Sequence, residues 1–337
     1  MKVKSAMGRP CFPMRNGIRR ARITIGLAAL LAVAMAGRAA EPVEAVTFDY
    51  AAESGANYDK AEFRLWLPKN VERVRAIVLL VPGSNGDGRV EVEDPVWQTF
   101  AIRNNLALVS CYLTDKPHEY QLIESYAYAS RGSGQALLDA LDAMGQSSGH
   151  GELAKVPLLL WGMSAGGEFN YEFVAWRPDR VAAFVVNKGG VYYLALLSPD
   201  ARNVPGLFFV GDKDLEFRTS IIVGLFAVNR RFGALWGLVN EPNTDHDIGR
   251  SRDVALLFFE DVLVKRLDKQ RSDKSGARHL RAVAMTSGVL GDLKARKITG
   301  PSGPVAPDYP TAWFISERVG KAWQDLVNER WQAKLRK

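Results

Sequence analysis

A serine between glycines, then an aspartate, then a histidine: these residues, in that chain order, are the ones whose types and spacing could do chemistry here. The run Leu158-Leu159-Leu160-Trp161-Gly162-Met163-Ser164-Ala165-Gly166-Gly167 leads an apolar segment into Gly-x-Ser-x-Gly, and a helix is expected from Gly166 through Trp176. A strand that turns sharply into a helix lifts a serine hydroxyl above the sheet edge. Glycines are needed there because side chains would collide with the strand or the helix. The motif alone is short, so its strand and helix flanks carry the reading. Ser164 is the candidate nucleophile.

A serine hydroxyl needs a base to take its proton, and the base needs a carboxylate to orient it. The chain has four histidines. His150 lies in a loop entering the strand before Ser164, at the opposite edge of a sheet, and His279 lies in a polar stretch. His118 follows an apolar strand but precedes the nucleophile. His246 remains: it follows the strand Leu235 to Val239 and precedes a helix beginning near Asp253. For the acid, Leu207-Phe208-Phe209-Val210-Gly211 is a strand that releases both Asp212 and Asp214 into a loop. The order Ser164, Asp, His246 is the nucleophile, acid, base order of strand-elbow hydrolases. Asp214 is preferred, a few residues past the strand-ending Gly211, with Asp212 as a turn residue making local backbone bonds.

These groups converge only if a sheet brings their loops to one edge. Phe63 to Leu67 alternates like a strand that Pro68 closes, and Ala76 to Val81 is a continuous apolar run suited to a strand covered on both faces. Leu106 to Cys111, Val156 to Trp161, Val181 to Val186 and Gly206 to Val210 read the same way. Amphipathic stretches such as Gly134 to Met144 and Val254 to Leu267 lie between. Strand and helix in alternation predict an α/β fold, a mostly parallel sheet with helices on both faces. Ligands of such sheets bind beyond the carboxyl ends of the strands. After about residue 270 the pattern weakens. Lys269 to Arg278 reads as a linker, Thr299 to Pro304 as a breaker-rich loop, and Phe314 to Leu335 as a helix. The expected organisation is a signal peptide over 1–39, a catalytic domain over 40–270, and an extension over 271–337 whose Trp313, Trp323 and Trp331 pack on that domain.

Residues from about 60 to 267 resemble an α/β-hydrolase, and nearer still the secreted bacterial esterases of the polyhydroxybutyrate-depolymerase and feruloyl-esterase kind. The resemblance rests on Val81-Pro82-Gly83-Ser84, Gly162 to Gly167, Arg177-Pro178-Asp179-Arg180-Val181, Gly211 to Asp214 and His246. It implies an ester substrate, an acyl-enzyme on Ser164 with Asp214 and His246 as its partners, and no cofactor. The backbone N–H of Ala165, next after the nucleophile, is the expected first oxyanion donor. The family often has His-Gly-x where this chain has Pro82-Gly83-Ser84. By matching position the Ser84 N–H is the second donor, with Gly83 and Asn85 as neighbours that could serve instead.

Composition excludes several other classes. The formal charge of +7 belongs to the first 39 residues, which hold eight basic residues and no acidic one. Removing those eight from the 44 basic residues leaves 36 against 37 acidic, a charge of −1, so no nucleic-acid partner is expected. A basic stretch ending in Arg19-Arg20-Ala21-Arg22 precedes the apolar run Ile23 to Ala36, followed by small residues. That run is shorter than the roughly 20 residues that cross a bilayer. It reads as a cleaved export signal, with Ala34-Met35-Ala36 or Gly37-Arg38-Ala39 before the cut, and no membrane insertion afterwards. Of the two cysteines, Cys11 leaves with the leader and Cys111 sits in an apolar strand, so no internal disulfide forms. No Cys, His or carboxylate spacing indicates a metal, and Gly83 to Gly88 lacks the Gly-Lys-Ser/Thr of a phosphate loop. A serine peptidase of the same fold, or a non-catalytic binding protein on that scaffold, would share these features.

Overall fold

The computed structural model describes residues 44–119, 123–267, 280–303 and 310–330. The expected leader, the linker 269–278, His279 and Trp331 lie outside the described residues. In chain order the elements are β1 (Ala45–Ala52), β2 (Lys60–Pro68), β3 (Ile77–Val81), α1 (Pro95–Asn104), β4 (Ala107–Thr114), α2 (Ser133–Ser148), β5 (Leu158–Met163), α3 (Ala165–Trp176), β6 (Val181–Asn187), α4 (Pro199–Arg202), β7 (Gly206–Gly211) and α5 (Glu216–Arg231). Then come β8 (Trp236–Glu241), α6 (Ser251–Arg266), β9 (Val289–Asp292), β10 (Lys297–Pro301), β11 (Thr311–Phe314) and α7 (Glu317–Val327).

Eight strands form one sheet in the order β1-β2-β4-β3-β5-β6-β7-β8. The pairs β1/β2 and β2/β4 are antiparallel, and every pair from β4 to β8 is parallel. The expected mostly parallel sheet is therefore present. Its central strands are buried because their runs are almost continuously apolar: β3 reads Ile-Val-Leu-Leu-Val with no exposed residue, and β6 and β7 are likewise wholly buried. Cys111 lies in this core at 1% exposure, where burial pushes its thiol up and leaves it a packing residue. The six parallel strands end along one edge, at Val81, Thr114, Met163, Asn187, Gly211 and Glu241.

The C-terminal segment differs from the sequence expectation. Thr299 and Gly300 belong to β10, and Phe314 ends β11, so the helix begins only at Glu317, where the Ser316 hydroxyl caps the Val319 N–H at 3.1 Å. β9 to β11 make a separate small sheet in the order β10-β9-β11. A register shift between Ile298 and Gly300, with Gly300 at φ 136°, lets the breaker-rich sequence pair as a strand. Phe314 was in phase with the apolar face of the helix, yet it packs on β8, where any side chain at Gly237 would meet its ring at 2.7 Å. Trp313 and Trp323 are each 1% exposed, and Phe314 lies against Trp323 with ring centres 4.8 Å apart. Lys265 of α6 donates to the Ile315 carbonyl at 2.5 Å, and Arg318 of α7 pairs with Asp261 and Glu260 of α6. Among the described residues of this segment, Trp313, Phe314, Val319 and Trp323 are thus part of the main core.

Candidate active site

Ser164 stands between β5 and α3 at φ 54° and ψ −125°, a strained conformation for a non-glycine residue. Two glycines make the turn possible. A Cβ on Gly162 would lie 2.3 Å from the Gly166 carbonyl oxygen, and one on Gly166 would lie 2.2 Å from that of Val81. The turn is held by the Ser164 N–H, which donates to the Asn187 carbonyl of β6 at 2.8 Å.

The structure brings together the three residues singled out in the sequence. His246 Nε2 lies 3.0 Å from Ser164 Oγ, and its Nδ1 lies 2.9 Å from Asp214 Oδ2. The Asp214 side chain is 2% exposed. Burial alone would raise its pKa, but hydrogen bonds from His246, the Leu215 N–H and Arg218 outweigh it, and the carboxyl is held below the usual range. An ionised carboxylate only accepts, so Nδ1 carries the imidazole proton and Nε2 presents a lone pair to the Ser164 hydroxyl.

Neighbours fix each member. Asp214 Oδ1 accepts from the Leu215 N–H at 2.7 Å and from Arg218 Nη1 at 3.2 Å, leaving Oδ2 for the histidine. Asp212 does not make the local turn bonds expected of it. Its Oδ1 instead accepts the Thr244 N–H at 3.1 Å, across to the loop that carries His246. The Asp212 N–H reaches the Glu241 carbonyl and the Lys213 N–H reaches the Thr244 carbonyl, so the acid loop and the histidine loop are laced together. Lys188, directly after β6, pairs with Glu241 at the end of β8, and both side chains are at most 1% exposed. Glu241 Oε1 also accepts the Arg250 N–H at 2.6 Å, and Asn187 Nδ2 donates to the Ile248 carbonyl. The loop carrying His246 is tied down at both ends.

Ser164 and His246 line a cavity of about 450 Å³ together with Ser84, Glu168, Val191 and Arg218. Of the three residues weighed as the second oxyanion donor, Asn85 is committed: its N–H donates to the Tyr126 hydroxyl at 3.1 Å. Among the described residues the N–H groups of Gly83, Ser84 and Ala165 have no partner, and Gly83 and Ser84 both line the cavity. The other described histidines stand elsewhere, His150 against Glu152 at 3.0 Å and His118 against Asp115 at 3.2 Å. No group of acidic, His or Cys residues among those described could hold a metal, and none of their helices is long and apolar enough to cross a membrane.

Sequence reasoning missed Arg218, Glu168, Lys188 and Glu241. Signals were present. Glu168 and Glu172 are carboxylates four apart in a mostly apolar helix, and Arg218 stands four residues after Asp214.

No family model matches the chain, and no curated protein sequence does. Among solved structures, a poly(3-hydroxybutyrate) depolymerase from Bordetella parapertussis is similar at TM-score 0.49 and 16% identity, over 69% of this chain and 92% of that one. An S-formylglutathione hydrolase from Staphylococcus aureus is similar at TM-score 0.47 and 12% identity, over 66% and 97%. A ferulic acid esterase is similar at TM-score 0.46 and 12% identity, over 61% and 93%. The sheet order, the antiparallel second strand and the strand-turn-helix at Ser164 give this chain the α/β-hydrolase fold.

Proposed function

We propose that this chain is an exported serine hydrolase that cleaves carboxylic esters by way of an acyl-enzyme on Ser164. The observation that carries the reading is the continuous hydrogen-bonded series Ser164, His246, Asp214 at the cavity wall. In the mechanism, Ser164 Oγ attacks the ester carbonyl while His246 Nε2 takes its proton. Asp214 keeps the imidazole in the required tautomer and stabilises the cation that forms. The N–H groups of Ala165 and Ser84 receive the negative oxygen, and Ala165 does so at the positive end of α3. His246 then protonates the leaving alkoxide, and water activated by the same imidazole releases the acid. Every group used belongs to this chain.

Ser164→Ala is expected to abolish hydrolysis of para-nitrophenyl acetate while leaving the far-ultraviolet spectrum and the melting temperature near those of the native protein. Unchanged turnover in the purified variant would remove the assignment.

Export rests on residues 1–39, where basic residues precede a 14-residue apolar run and small residues. The protein recovered from outside the cytoplasm should begin after Ala36 or Ala39, as read by intact mass. A full-length chain that stays in the cytoplasm contradicts export.

A further inference from the structure

Helix α3 carries two buried glutamates one turn apart, and each clamps the segment that follows β6. Glu168 Oε1 accepts the N–H of Gly190 at 2.6 Å and of Val191 at 3.0 Å. Glu172 Oε1 does the same for Tyr193 at 2.8 Å and Leu194 at 3.0 Å. The clamp uses one oxygen of each. The second oxygen of Glu172 is enclosed and has no partner. That of Glu168 also has none among the described residues, but Glu168 lines the cavity of Ser164 although only 4% exposed. Arg218 lines the same cavity. Its Nη1 serves Asp214, while its Nε and Nη2 have no hydrogen-bond partner among the described residues.

Burial, with the Glu124 carboxylate adding to it, pushes Glu168 up to about 8 against the pull of the Val191 and Gly190 N–H groups and of Arg218. Tyr192 and Tyr193 also face it and stay neutral, their phenols pushed up by burial. A carboxyl raised this far favours its protonated form at neutral pH. Because Oε1 is already accepting, that proton sits on Oε2, which becomes a donor. The Arg218 charge is matched by Asp214. This wall thus offers donors without surplus positive charge. A carboxylate placed there would meet Glu124.

We propose that Glu168 and Arg218 form a specificity subsite that donates hydrogen bonds to an uncharged oxygen acceptor of the substrate, a keto, ether, ester or hydroxyl oxygen. The chain then selects esters bearing a second oxygenated group over plain alkyl esters. This rests on Ser164 being the nucleophile.

The test compares the para-nitrophenyl esters of 4-oxopentanoic and 4-methylpentanoic acid, which differ in one acceptor at nearly constant shape. The ratio of their kcat/KM values, corrected for alkaline hydrolysis, cancels general losses of activity. At pH 7 the oxo ester should be favoured about tenfold, as a well-made hydrogen bond allows. The preference of the native protein should fall between pH 7 and pH 9 as Glu168 ionises. Glu168→Gln keeps an acceptor for the clamp and a donor toward the cavity, so it should retain the preference at both pH values. Glu168→Met should lose it at pH 7, and where that variant fails to fold, the comparison of native protein with Glu168→Gln decides. A ratio near one in the native protein, or the same fall with pH in Glu168→Gln, overturns the subsite and leaves the esterase reading standing. Failure to hydrolyse either ester overturns both.

Discussion

Asp212 and Asp214 leave the same strand two residues apart, yet only one of them faces the histidine. Asp214 Oδ2 lies 2.9 Å from His246 Nδ1, whereas Asp212 Oδ1 accepts a backbone N–H of the neighbouring loop. Asn at 214 would present an amide that can turn a donor toward Nδ1 and favour the wrong imidazole tautomer. Asp214→Asn should therefore lower kcat by about 10⁴. Asp212→Asn retains an acceptor for the Thr244 N–H and should stay within about tenfold of the native rate. Steady-state kinetics on one ester separates them, and a larger loss at Asp212 would reverse the roles. Both aspartates were legible in the sequence because a strand-ending glycine precedes them. What Asp212 binds was not legible, since its partner at Thr244 is 32 residues away.

At the scale of elements, the loop between β8 and α6 must hold an imidazole still without secondary structure of its own. The buried Lys188–Glu241 pair and the Arg250 N–H on the same carboxylate hold its start and its end. Lys188→Met leaves the Glu241 carboxylate buried without its counter-charge, and should destabilise the fold by about 3–5 kcal/mol in chemical denaturation. Adding Glu241→Gln, uncharged but still able to accept from Arg250, should recover most of that loss. A cost below about 1 kcal/mol for the single variant would show that the pair does not matter to the loop. The central strands could be read because continuous apolar runs such as Ile77 to Val81 admit few other readings. β1 was missed because it is an edge strand whose residues are half-buried or exposed, so its apolar alternation is weak. Phe314 was misread because aromatic spacing fits a helix and a short strand equally well until the Ser316 cap is seen.

Across the whole molecule, sheet order decides which loops meet. β5, β6, β7 and β8 run parallel and adjacent, so the turns after β5, β7 and β8 open on one edge and Ser164, Asp214 and His246 meet there from positions up to 82 residues apart. The C-terminal sheet and α7 pack on β8 and α6, and so support the strand from which the histidine loop departs. The sequence did show that this extension carried tryptophans seeking cover, but not that it would form a sheet, because strands of four and five residues rich in Gly and Pro leave little periodicity. The proposed chemistry depends on one reactive hydroxyl, and a fluorophosphonate reagent reports it directly. Treatment of the intact protein followed by peptide mass mapping should place a single phosphonyl group on Ser164. Labelling should vanish in Ser164→Ala and slow by orders of magnitude in His246→Ala, which lacks the base. A label on another residue, or one that persists undiminished in Ser164→Ala, would contradict the assignment of Ser164 as nucleophile.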